Sequence, residues 1–85
     1  MITERLKKVI LGELNLDDYY FQDSTTANLV PGWDSLKHIA ILASIEKEYG
    51  IRFKSLDVIR LKNLGQLQEL VARKVEEEES ERKVE

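Results

Sequence analysis

Ser35 and His38 stand three positions apart in the most apolar stretch of the chain, a spacing that puts a hydroxyl and an imidazole on one side of a helix. A nucleophile beside a base is the beginning of a hydrolase site. Such a site also needs a group that orients the imidazole and donors for a developing oxyanion, and the sequence offers no identifiable candidate for the first and only the helix start for the second. Asp17, Asp18 and Asp23 carry the oxygens a hard cation wants, yet they lack the alternating ligands and closing Glu of an EF-hand loop. Turn-forming and capping roles account for them. With one His and no Cys, neither a multi-histidine metal site nor thiol chemistry is available. The sequence therefore predicts no catalytic set and no metal. The segment that remains is Pro31-Gly32-Trp33-Asp34-Ser35-Leu36: a turn, a cap, and a helix start with Leu36 as its first buried residue.

The elements that must position this segment follow from periodicity. Thr3 opens a first helix in which Leu6, Val9, Ile10 and Leu14 fall at three- to four-residue spacing, ending near Leu14. Residues 15–33 have no sustained period and many turn formers. So long an irregular connection in a small domain is usually functional or pinned by its own side chains, here Tyr19, Tyr20, Phe21, Leu29, Val30 and Trp33. Trp33 reads as an anchor of that loop, since an exposed indole is costly. Asp34 caps a second helix over 35–49, which Gly50 stops in a left-handed conformation. Its stripe is Leu36, Ile39, Leu42, Ala43 and Tyr49, widened by Ala40, Ile41 and Ile45 well past a single face. Ser55 can cap a brief third helix over 56–62 with Leu56 and Ile59 inward, and Asn63 a last one carrying Leu64, Leu67, Leu70, Val71 and Val75. The expected fold is all-α: a small four-helix bundle with a long first loop and a short third helix.

At 85 residues, 42% hydrophobic and 34% charged, the chain is one domain with a small core. Its net charge of -3 is concentrated at the end: six acidic and two basic residues follow Val75, whereas residues 1–74 carry 11 basic against 10 acidic groups. A near-neutral body excludes the basic excess that nucleic-acid binding needs. The sequence divides into a bundle over 1–75 and an acidic tail over 76–85, expected as a frayed helix end or a disordered terminus. No apolar run approaches the ~20 residues of a membrane span, and the amino end is not signal-like. A cytoplasmic monomer is the expectation.

Gly32-Trp33-Asp34-Ser35-Leu36, followed by Ile45-Glu46-Lys47-Glu48-Tyr49-Gly50-Ile51 and by Asn63-Leu64-Gly65-Gln66-Leu67, resembles the acyl carrier protein family and its peptidyl carrier relatives. The likeness runs from Leu6 to about Val75. It implies that Ser35 carries 4′-phosphopantetheine, attached covalently from coenzyme A by a separate phosphopantetheinyl transferase, and that the arm's thiol holds an acyl or aminoacyl group as a thioester. It implies no catalysis by the chain itself, and partners that load and use the acyl group in fatty-acid or polyketide biosynthesis. Asp34 would chiefly hold the turn beside Ser35, and secondarily help to place the arm or its transferase. Leu36 would serve as both anchor and docking surface. Ile39, Leu42, Ile45, Ile59 and Leu64 would form a core able to part for an acyl chain.

One departure matters. The family's fatty-acid-synthesis members are acidic along the second helix, whereas this chain has Lys37, His38, Ala40 and Lys47 there. Leu36, Lys37, Ala40 and Lys47 are thus the expected partner-binding residues of a specialised carrier rather than the bulk one, because complementary charge selects partners. The rival reading is a small helical protein-interaction module in which Ser35 only starts a helix.

Overall fold

The computed structural model describes residues 1–83, and among these it holds α1 (Glu4–Leu14), α2 (Ser35–Tyr49), α3 (Ser55–Ile59) and α4 (Leu64–Lys83), with a 3-10 turn at Ala27–Leu29. The helix ends obey the chemistry of their caps. Thr3 Oγ1 accepts the Leu6 N–H at the start of α1, and Asn15, in the left-handed region at φ 57°, closes it. Asp34 Oδ1 accepts the Lys37 N–H at 2.8 Å, and Gly50, at φ 67°, ends α2 while the Ile51 N–H reaches back to the Glu46 carbonyl. Asn63 Oδ1 accepts the Gln66 N–H at 2.9 Å at the head of α4.

The core is made by α1, α2, α4 and the long loop. Leu6, Ile10 and Leu14 from α1 meet Ile41 and Ile45 from α2 and Leu64, Leu67 and Val71 from α4, with Phe21, Val30, Trp33 and Ile51 filling in from the connections. Arg5 ties α1 to the end of α2. Its guanidinium donates to both the Glu48 carboxylate and the Glu48 carbonyl, each at 2.9 Å, and lies 4.3 Å over the Tyr49 ring. The Ser44 hydroxyl adds a hydrogen bond to Glu13 across the same helix pair.

The loop over residues 15–34 is docked, not loose. Phe21, Val30, Trp33 and Thr25 are buried, with the Thr25 hydroxyl accepting the Gln22 N–H. The first two amides of α4 find their acceptors here: Leu64 N–H donates to the Thr25 carbonyl and Gly65 N–H to the Asp23 carbonyl, both at 2.9 Å. Tyr20 and Leu29, expected among the pins, point to solvent.

Several expectations about packing need correction. Ile39, placed in the core by its stripe, is 67% exposed, and Leu36, expected as the first buried residue, is 79% exposed. The buried stripe of α2 is Ile41 and Ile45, with Leu42 and Tyr49 half-buried beside them. A helix that is apolar on two faces has two stripes of equal period, and periodicity cannot say which turns inward. On α3, Leu56 and Ile59 are exposed as well. Here Asp57 decides the orientation: its carboxylate accepts the Lys54 N–H and pairs with Lys74 at 3.0 Å and Arg73 at 3.7 Å on α4. The acidic face is thereby turned toward the bundle and the apolar face away. The same contact makes Lys54, not Ser55, the residue that caps α3, and the helix stops at Ile59 instead of 62. Ile45 and Leu64 do lie in the core. Along the acidic segment, α4 continues through Glu76–Glu79 to Lys83. Residues 84 and 85, the end of that expected tail, lie outside the described residues.

Candidate functional site

Pro31 and Gly32 fill the middle of a hydrogen-bonded turn in which the Trp33 N–H donates to the Val30 carbonyl at 3.2 Å. Gly32 takes φ 81°, the value the third position of a type II turn needs and an L side chain resists. This turn delivers Trp33 into the core, 9% exposed, and then Asp34 to the cap of α2. Because Asp34 is the capping acceptor, the hydroxyl of Ser35 is not used for that purpose. Ser35 is exposed at the first helical position. Its own N–H and that of Leu36 begin the helix and have no intrahelical acceptor, so the surroundings of its oxygen favour a negative group.

Ser35 and His38 share one wall, and the imidazole turns one nitrogen to another partner. The indole Nε1–H of Trp33 donates to His38 Nδ1 at 3.1 Å, with the rings 6.1 Å apart and tilted. That bond engages one imidazole nitrogen with a buried tryptophan and fixes the hydrogen on the other, Nε2. The sequence marks Trp33 as a loop anchor and offers no identifiable partner for the His38 ring. The link between them was legible only as a five-residue spacing across the cap. Together with Ala27 and Asn28 of the 3-10 turn and with Ile39, these residues line a surface groove of about 520 Å3 that opens beside Ser35.

Two of the acidic loop residues, Asp18 and Asp23, have structural partners. The Asp18 carboxylate meets the Lys7 ammonium at 2.8 Å and accepts the Tyr19 N–H at the same distance. The Lys7 contact, then the Tyr19 amide, hold its carboxyl below the ordinary range. Asp23 contributes its carbonyl to α4. Of the expected partner-facing residues, Leu36 and Lys47 are exposed, and Lys37 and Ala40 are half-buried. The acids at the end of α2 are engaged locally: Glu46 accepts the Phe53 N–H at 2.8 Å, and Glu48 holds Arg5.

No protein-family model matches the sequence, and no curated protein matches it significantly. Among solved structures, the chain is similar to the solution NMR structure of holo acyl carrier protein from Geobacter metallireducens. The two are 31% identical and superpose with a TM-score of 0.83, over 88% of this chain and 86% of that one.

Proposed function

The chain belongs to the acyl carrier protein family, and from that premise we propose that Ser35 is the residue bearing a 4′-phosphopantetheine arm, donated from coenzyme A by a separate phosphopantetheinyl transferase. The observation that carries this reading is the division of labour at the head of α2. Asp34 satisfies the cap, and Ser35 presents its hydroxyl at the surface, next to amides that suit a phosphodiester. When bound, the arm supplies a thiol on which an acyl or aminoacyl group travels as a thioester, chemistry that a chain without Cys lacks. Asp34 keeps the turn rigid so that the hydroxyl stands in one place. The buried Trp33 fixes the approach of the loop, and Gly32 supplies the positive φ that the turn before it needs.

Carrier function needs partners that load and unload the group. The exposed apolar side chains Leu36 and Ile39 on α2, with Leu56 and Ile59 on α3, form the surface such enzymes would grip. Lys37 and Lys47 border it, while Glu46 and Glu48 are held by Phe53 and Arg5. A second-helix face whose cations are more available than its acids suits an enzyme with an acidic docking patch, and this supports a dedicated pathway rather than bulk fatty acid synthesis.

The test is intact mass after incubation with coenzyme A and a broad-specificity phosphopantetheinyl transferase. One phosphopantetheine moiety is gained by the native chain and none by Ser35→Ala. An unchanged native mass, with a control carrier loaded in the same reaction, would leave the interaction-module reading in its place.

A further inference from the structure

We propose that the groove between the 3-10 turn and the start of α2 is a docking cradle for the arm carried on Ser35, in which His38, set by Trp33, donates a hydrogen bond from Nε2. The inference rests on Ser35 being the attachment residue. Ser35 itself forms part of the groove wall, so the groove is among the first surfaces an arm tethered there meets. Its walls combine apolar surface from Trp33, Ala27 and Ile39 with the His38 imidazole, the Asn28 amide, the Ser35 hydroxyl and the Asp34 carboxylate, whose Oδ1 already accepts the Lys37 N–H. A pantetheine chain has the matching composition: a gem-dimethyl group for the apolar part and amide carbonyls that accept hydrogen bonds.

The tautomer of His38 is where the structure goes beyond shape. Because Nδ1 accepts the Trp33 indole proton, Nε2 carries a hydrogen and the ring can donate without being charged. The indole is buried, so this choice is made by the fold before any ligand arrives. On the other side, Asn28 Oδ1 is engaged by the Thr26 hydroxyl, which directs its amide N–H groups to donate. The imidazole and the amide thus offer donors to the arm's carbonyls, and the Asp34 carboxylate oxygen left free by the Lys37 N–H can accept from the arm's hydroxyl or amide N–H groups. The contacts need not be strong. A tether shorter than a linker of several residues holds its end at an effective concentration on the order of millimolar, so a site too weak to capture the free molecule is still well occupied.

The experiment compares apo and holo chains by NMR, with holo formation verified by mass. The expected result is a shift of the Trp33 indole N–H and the His38 ring nitrogens on loading, with His38 retaining its Nε2–H form. Nuclear Overhauser contacts should join the gem-dimethyl protons to the Trp33 ring. They should be lost in His38→Ala; in Trp33→Phe, where Nδ1 has no donor and His38 becomes a mixture of tautomers, contacts from the gem-dimethyl protons to the His38 ring should weaken. A merely structural His38 would leave those contacts in place. If the mass rises but the shifts fall on Leu56 and Ile59 instead, the cradle is wrong and the carrier reading stands. If the mass does not rise while a control carrier is loaded, both fall together.

Discussion

Asp23 occupies the place where a side chain on Gly65 would go: a Cβ there would sit 2.8 Å from Asp23 Cβ and 3.0 Å from its carbonyl oxygen. The obstruction is mostly main chain, which cannot swing aside, and the oxygen is the one that accepts the Gly65 N–H. Gly65→Ala would gain up to about 1 kcal/mol of helix propensity against an overpacking cost of roughly 1–3 kcal/mol. The net expectation is destabilisation on urea unfolding, with hydrogen-exchange protection lost at the Leu64 and Gly65 amides. Gly12, inside α1, is the counterpart, since a Cβ on it would meet nothing within 4 Å. Gly12→Ala should stabilise by up to about 1 kcal/mol. Equal signs for the two substitutions would refute this account of Gly65. Nothing in the sequence marks the difference, because the steric demand comes from a residue far away along the chain. Ser35 and Asp34 were legible for the opposite reason, since capping is settled by residues within one turn.

At the scale of elements, α3 shows how far patterning can be trusted. Five residues with Leu56 and Ile59 at helical spacing read as an inward apolar face, yet Asp57 and its partners on α4 turn the helix the other way. The helices whose ends are marked by Thr3, Asn15, Asp34, Gly50 and Asn63 were placed correctly, because those signals are local. The orientation of a helix between two apolar faces is a property of its neighbours and is absent from its own period. Asp57 and Lys74 are 19% and 12% exposed, so the pair is well shielded. The Lys74 ammonium, then the Lys54 amide, hold the Asp57 carboxyl below its ordinary value, and Asp57 in turn raises Lys74. A depressed carboxyl stabilises the fold above its unfolded value and ceases to do so as pH falls through the folded one. A raised ammonium contributes fully below its unfolded value, and that contribution is lost as pH rises through the folded one. Asp57→Asn should therefore lower Tm at neutral pH, and the gap from the native chain should narrow below about pH 4 and again above about pH 10.5. A gap independent of pH would show that the loss is packing and not charge.

For the whole molecule, the dimensions are 44 × 24 × 22 Å, drawn out along one direction. At about 1.5 Å per residue, the 20 residues of α4 alone span roughly 30 Å. No described helix is long and apolar enough to cross a membrane. The surface proposed to meet partners gathers around Ser35 and the exposed face of α2. Reversing its charge should be felt in encounter rather than chemistry. With an enzyme that acylates the holo chain, Lys37→Glu combined with Lys47→Glu should lower kcat/KM by on the order of tenfold at low salt, leave kcat unchanged, and lose most of the effect as ionic strength rises. An effect on kcat that ignores salt would place these lysines outside the docking face. The hydrogen bonds from Leu64 and Gly65 back to Thr25 and Asp23 bear on the birth of the molecule as well. During translation Ser35 leaves the ribosome well before the amides that seat the loop in front of it, so a half-made copy offers the serine without its surroundings. An enzyme that grips loop and helix together would pass over such copies, and loading would await the finished chain.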